Sequence, residues 1–290
     1  MEERAFAKLN LTLDILRKRE DGFHDLRMVM QNVALCDRVS LEEKSSEGIT
    51  LHTKAAYLPT DENNIAVKAA KVFAQETTLK LPGLDLGIHK RLPVCAGMAG
   101  GSSDGAAVLR MLRQQYQPDM GREELERIAA LVGSDVPFCV RGGAALAEGR
   151  GERLRDLPGL PDCAILLCKP DFPISTPELF GLVRVKKLRF HPDTAGMLRA
   201  LERGDLEEIC RYVYNVFEDV LPRKYQRVWE IKRQMLELDA LTAAMTGSGP
   251  TVFGIFAEEA AAQKAAQVLG QEYRQVYVTR PWNEKLVQGD

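Results

Sequence analysis

An α+β fold is predicted for this chain by three observations. Segments with the period-two apolar pattern of strands and segments with the 3.6-residue period of helices both occur. They do not alternate in a regular βαβ rhythm, which argues for packed α+β layers rather than a doubly wound parallel sheet. Two prolines and a glycine fall together in PGLPD at residues 158–162, so the chain is expected to divide there into units 1–157 and 158–290.

In AKLNLTLDIL, Leu9, Leu11 and Leu13 alternate with Lys8, Asn10, Thr12 and Asp14, the pattern of a half-buried strand. Lys8 and Asn10 therefore share a face. MVMQNVAL is a second strand and LDLGIHKRL a third. ENNIAVKAAKVFAQE reads as a helix capped at Asn63 or Asn64, with Ile65, Ala69, Val72 and Phe73 on one stripe. SSDGAAVLRMLRQQY is an amphipathic helix in which Arg110, Arg113 and Gln114 interrupt the apolar face, and REELERIAALV is another helix. VPFCVRGGAALAEGRGERLRDL suggests hairpin strands, and CAILLCKP a buried strand stopped by Pro170. Further on, TAGMLRALERG and YQRVWEIKRQMLELDAL are helical, while TVFGIF and QVYVTRP are strands. The basic run RVKKLRF reads as a solvated face.

Composition narrows the function classes. With 39 basic and 41 acidic side chains the net charge is −2, so no overall field draws nucleic acid or an anionic membrane. Neither is expected as a partner. MEERAFAKLN is not a secretory signal, and no run reaches the roughly 20 apolar residues of a membrane span. The six cysteines form no paired C-x-x-C, and the four histidines are scattered, so a reduced, cytoplasmic protein without its own metal site is expected. Monomer and homodimer both remain open.

The segment PVCAGMAGGSSDG, residues 93–105, runs from a strand candidate straight into a helix. Glycines at 97, 100 and 101 permit positive φ and let backbone N–H groups converge on an anion. Ser102, Ser103 and Asp104 stand where the helix begins, and a helix N-terminus favours phosphate. Lys90 is close enough in sequence to add a mobile positive charge. No G-K-[ST] follows, so this is not a Walker A loop. The spacing G-x-x-G-G is not that of a dinucleotide fold, and no H-R-D or D-F-G occurs.

PVCAGMAGGSSDGAA resembles the ATP loop of the GHMP kinases, and AFAKLNLTLDI, REDGFHDLRMVMQNVAL, GSDVPFCVRGGAALAEGRGE, KPDFPISTPELF and AAMTGSGPTVFGIF extend the resemblance in order along nearly the whole chain. The resemblance implies an N-terminal domain like domain 2 of ribosomal protein S5, a C-terminal ferredoxin-like domain and an active site in the cleft between them. It implies ATP and Mg²⁺ as cofactors. Within the family the set is most similar to the branch that phosphorylates the 2-hydroxyl of a cytidine diphosphate-linked methylerythritol in the non-mevalonate isoprenoid route. Homoserine and mevalonate kinases are expected to share the loop but not DGFH or KPDFPISTPELF.

Site residues follow from the same resemblance. The ATP site comprises Lys90 and Pro93, Val94, Cys95, Ala96, Gly97, Met98, Ala99, Gly100, Gly101, Ser102 and Ser103. Asp135 is implied to accept the proton of the attacking hydroxyl, with Lys8 beside it offsetting charge on the transferred phosphoryl. Asn10 is implied to hold substrate. Phe23, where relatives often have tyrosine, is implied to stack on the cytosine, and His24 to hydrogen-bond it. Phe180 supplies a second aromatic wall and Thr176 a polar contact. Gly247, Ser248 and Gly249, placed between a helix and the strand TVFGIF, support the phosphate region. No carboxylate identifies itself as a metal ligand, so Mg²⁺ is expected to be held largely by the ATP. Cys95, Ala96 and Ala99 stand at places where the resemblance implies glycine, and the backbone conformation at Ala99 is the specific question they raise.

Overall fold

The alternating run around Lys8 folds as expected into a strand, but one far longer than the pattern marks. In the computed structural model, which describes residues 1–188 and 190–287, the strands are β1 (Glu2–Lys18), β2 (His24–Lys44), β3 (Ile49–Thr53), β4 (Gly83–His89), β5 (Ala144–Gly149), β6 (Arg153–Leu157), β7 (Ala164–Lys169), β8 (Tyr214–Asn215), β9 (Thr242–Met245), β10 (Val252–Phe256), β11 (Gln275–Thr279) and β12 (Pro281–Trp282). The helices are α1 (Ile65–Thr77), α2 (Gly100–Tyr116), α3 (Arg122–Val132), α4 (Val136–Arg141), α5 (Thr176–Leu182), α6 (Thr194–Arg203), α7 (Leu206–Tyr212), α8 (Phe217–Val220), α9 (Arg227–Glu237) and α10 (Glu259–Leu269). The α+β expectation holds.

The first sheet runs β3-β4-β2-β1-β8, and the long β2 also carries β5 and β12 along its first half, with β6 hairpinned onto β5. The second sheet, β11-β7-β10-β9, is antiparallel throughout. Helices α1 to α4 cover one face of the first sheet. Its other face meets the second sheet: Leu9, Leu11 and Val29 share a core cluster with Ile165, Leu167, Phe253 and Ile255. Segments after residue 158 also complete the first sheet. β8 lies parallel to β1, and β12 returns to β2 with Trp282 stacked on Phe6 at 4.4 Å between ring centroids.

This layering corrects the half-buried reading of β1. Lys8, Asn10, Thr12 and Asp14 are all buried, because both faces of the strand are covered. The alternation also breaks at a bulge between Asn10 and Thr12, so Leu9 and Leu11 join one core cluster while Leu13 and Ile15 join the other.

Three other local expectations are corrected. VPFCVR is the helix α4, not a strand; its continuous apolar run fits either state, and Pro137 in the first turn with positive-φ Gly142 and Gly143 after the last one bounds it as a helix. The helix after the glycine loop is not amphipathic in its first three turns: Arg110 is buried, bonded to Glu3 and to the carbonyls of Arg4 and Cys139. TAAM, residues 242–245, is the strand β9, so the second glycine run joins two strands rather than a helix and a strand. In RVKKLRF, Val185–Lys187 is a single 3₁₀ turn and Arg189 lies outside the described residues.

Candidate active site

The open edge of β1 organises the site. β8 covers that edge only at Thr12 and Leu13, and farther up the strand two loops take the unpaired amides. The Lys8 N–H donates to the Met98 carbonyl at 3.2 Å, and the Asn10 N–H to Thr246 Oγ1 at 3.1 Å. Both glycine loops are thereby fixed to the strand that carries Lys8 and Asn10. They also touch each other, since a Cβ on Gly97 would sit 2.2 Å from the Thr246 carbonyl oxygen and 2.9 Å from the Gly249 nitrogen. The cleft they border has a volume of about 1070 Å³, and every residue of the ATP loop except Met98 and Ser103 lines it. Those two are buried beneath the loop.

Lys8 and Asp135 come together in this cleft. Lys8 Nζ donates to Asn10 Oδ1 at 2.7 Å and lies 3.9 Å from Asp135 Oδ2. Asp135 occupies the N-cap of α4, yet its carboxylate accepts no capping hydrogen bond. Pro137, at the second position of the helix, removes one of the two amides such a cap would use. The carboxylate is therefore left facing the lysine and the cleft, partly exposed, while Lys8 is buried.

The glycine loop differs in detail from its expected form. α2 begins at Gly100, so Gly100 and Gly101 are helical, and of the three loop glycines only Gly97 has positive φ. The left-handed positions fall instead on Cys95 (φ 49°) and Ala99 (φ 58°), the latter being the N-cap of α2. A non-glycine residue held there stores about 1 kcal/mol of strain. Ala99→Gly is accordingly expected to raise the melting temperature by about 2 °C in a calorimetric scan, the relief exceeding the entropy glycine adds to the unfolded chain.

Lys90 is not the mobile charge that its sequence position suggests. Its ammonium is locked between Asp37 Oδ2 at 2.7 Å and Asp104 Oδ2 at 2.6 Å, with all three side chains buried. Burial works against its charge, but the two carboxylates outweigh it and hold the group above the ordinary lysine range. The triad lies directly under the loop, 3.2 Å from where a Cβ on Gly100 would be.

Phe23, His24, Thr176 and Phe180 line the same cleft. Phe180 stacks on His24 at 5.1 Å between centroids and meets Phe217 edge-on at 4.8 Å. The partner of Phe180 is thus His24 rather than Phe23, which leaves no room for a base between those two rings as they stand. Phe23 is half exposed and carries the Arg150 guanidinium 3.9 Å over its ring. Burial and the nearby Lys18 charge hold His24 below the ordinary histidine range, so its ring is neutral at pH 7. Thr176 Oγ1 and Ser248 Oγ share a hydrogen bond of 2.7 Å, which ties α5 to the second glycine loop.

Sequence patterns missed several supporting residues. Asn215 donates to the Met245 and Gly247 carbonyls and so shapes the second glycine loop. Thr246 receives the Asn10 amide, and Asp37 anchors Lys90. None carries a local signal, because each partner is remote in sequence; only Asp104, inside the quoted loop, was open to recognition. Among the described residues no three His, Cys, Asp or Glu side chains form a metal-binding group, and no helix is long and apolar enough to cross a membrane.

A glycine loop at a helix N-terminus, beside a lysine–aspartate pair in a cleft at the edge of β1, defines a small-molecule kinase of the GHMP type, and the chain belongs to the GHMP kinase family. Residues 64–143 match the GHMP kinases N terminal domain and residues 197–275 the GHMP kinases C terminal domain. A 4-diphosphocytidyl-2-C-methyl-D-erythritol kinase of Clostridium botulinum strain Langeland is 39% identical over 97% of this chain and 99% of its own length. The enzyme of that name from Clostridium novyi strain NT is 40% identical over 96% and 98%. A crystal structure of 4-(cytidine 5'-diphospho)-2C-methyl-D-erythritol kinase superposes with a TM-score of 0.82 at 31% identity, covering 98% of this chain and all of that one.

Proposed function

We propose that this protein transfers the γ-phosphoryl group of ATP to the 2-hydroxyl of 4-diphosphocytidyl-2-C-methyl-D-erythritol, in the cytoplasm and within the non-mevalonate isoprenoid route. The observation that carries the reading is the Lys8–Asp135 pair, set in one cleft between a phosphate-binding loop and a histidine–aromatic cluster. Phosphoryl transfer passes through a loose transition state, so the protein's task is positioning and charge stabilisation. The α2 N-terminus and the loop amides hold the nucleotide phosphates. Asp135 accepts the hydroxyl proton, while Lys8, kept in place by Asn10, offsets the charge that spreads over the transferred group. Mg²⁺ supplies charge neutralisation when it enters with ATP; the described residues build no cluster for it.

His24, neutral at pH 7, has both a donor and an acceptor nitrogen for the edge of a cytosine. The aromatic faces of Phe23 and Phe180 suit the base itself, and binding would part Phe180 from His24. We place the unit boundary at 157–158, with the nucleotide held mainly by residues 1–157 and Phe180, Thr176 and Gly247 to Gly249 supplied by 158–290.

ADP release measured in parallel with the cytidine diphosphate substrate, homoserine and mevalonate tests the reading. Turnover is expected with the first alone, and turnover with homoserine or mevalonate only would overturn it. Phe180→Ala should raise KM for the cytidine diphosphate substrate about 5- to 150-fold, the value of one lost stacking face, with KM for ATP nearly unchanged. Equal effects on both would count against the assignment of Phe180.

A further inference from the structure

The buried triad under the glycine loop holds more negative charge than a structural clamp requires. Asp37 alone balances the charge of Lys90 through one oxygen, and its other oxygen accepts the Arg91 and Leu92 amides. Asp104 adds a second carboxylate to the same ammonium, yet its Oδ1 is buried and has no hydrogen-bond partner. A carboxylate oxygen in that state is costly, and a proton on the group removes the buried charge that makes up part of the cost. Asp104 also borders the cleft from the start of α2, whose free amides are the phosphate-binding end of the helix.

We propose that Asp104 is a positioning residue that couples a proton to nucleotide binding: it takes up the proton as the ATP phosphates settle on the α2 N-terminus, so ATP affinity falls as pH rises. The proposal rests on the ATP reading above. With Asp104 ionised the triad carries a net negative charge that opposes the phosphates; with Asp104 protonated the triad is neutral and the amides act unopposed. Linkage is reciprocal, so the bound phosphates in turn strengthen the hold on the proton.

The surroundings place this exchange near neutrality. Burial pushes Asp104 up to about 7 against the pull of Lys90, and the charge of Asp37 adds to the rise. Lys90 stays charged over the same range. Asp37 from β2 and Lys90 after β4 face the carboxyl directly. The Cys139 thiol of α4 lies in the field of Asp104 and also of Asp135, Lys8 and Arg110. Burial drives that thiol far above the ordinary range, so it stays neutral, and α1 presents Ile65 to Gly101 and Gly105 on either side of Asp104.

The test is calorimetric titration of ATP, with magnesium in excess, from about pH 6 to about pH 8.5, in paired buffers of different ionisation heat. For the natural protein the affinity should weaken roughly three- to tenfold across the range, the effect of one charge several ångströms from the phosphates. Proton uptake should accompany binding above neutrality. Asp104→Asn, which keeps the shape and removes the titration, should bind ATP with an affinity flat to within about twofold and without uptake, and so also reports the nucleotide's own titration. A flat profile without proton uptake in the natural protein would overturn the proposal even if the variant fails to fold. So would an Asp104→Asn profile as steep as the natural one. Failure to bind ATP at any pH would instead bring down the kinase reading itself, and this proposal with it.

Discussion

Asp135→Asn is expected to bind ATP with little change and to lose about 10² to 10⁴-fold in kcat, the usual share of a general base in proton transfer. The substitution keeps the size of the side chain and its place at the head of α4, where it takes no part in capping, so the helix loses nothing. What disappears is the acceptor for the hydroxyl proton and the charge that faces Lys8 at 3.9 Å. Lys8 remains held by Asn10 at 2.7 Å, which limits collapse of the site. The effect should therefore fall on kcat and on kcat/KM for both substrates, with the melting temperature almost unmoved. Steady-state kinetics with ATP varied at a saturating level of the cytidine diphosphate substrate separate these quantities. Near-natural kcat would remove Asp135 from the mechanism; a large rise in KM for ATP would make it a nucleotide-binding residue instead.

Much of the frame that presents Asp135 is legible in the sequence, because helices such as REELERIAALV and strands such as CAILLCKP carry one dominant period or one continuous apolar run bounded by a breaker. The pairing of Lys8 with Asn10 follows from the alternation in AKLN, and their meeting with Asp135 from the family pattern. The failures have a common physical source in contacts between remote segments. Burial of Lys8, Thr12 and Asp14 depends on segments far along the chain that cover both faces of β1, which leaves no trace in the local alternation. VPFCVR is short and apolar throughout, so its period is silent. Lys90 looks like a free cation until Asp37, from another strand, is found against it. The left-handed backbone at Cys95 and Ala99 is equally hidden, since in a loop with three glycines nothing in composition tells which residues turn. The loop's phosphate-binding character could be read; its internal geometry could not.

Gly97→Ala is expected to damage both stability and nucleotide binding. Gly97 has φ +73°, and an added Cβ would lie 2.2 Å from the Thr246 carbonyl oxygen, 2.9 Å from the Gly249 nitrogen and 3.2 Å from the Gly249 carbonyl oxygen. All three neighbours are backbone, so no rotamer change can relieve the clash. One of the two glycine loops has to move, and both are tied to β1 through the amides of Lys8 and Asn10. Left-handed backbone at an alanine adds about 1 kcal/mol, and overpacking a fixed contact adds 1 to 3 kcal/mol more. A total of about 2 to 4 kcal/mol corresponds to a fall of roughly 5 to 15 °C in melting temperature for a chain of this size. KM for ATP should rise at least about tenfold as the loop leaves the position that aims its amides, since misplacing a binding group by about an ångström commonly costs that much or more. Gly101→Ala provides the comparison within the same loop. Gly101 is helical, its added Cβ would meet only Ile65 Cγ1 at 3.6 Å, and its melting temperature should be no lower than that of the natural protein. If Gly97→Ala were as stable as Gly101→Ala, the contact between the two glycine loops would not be what holds the phosphate site in shape.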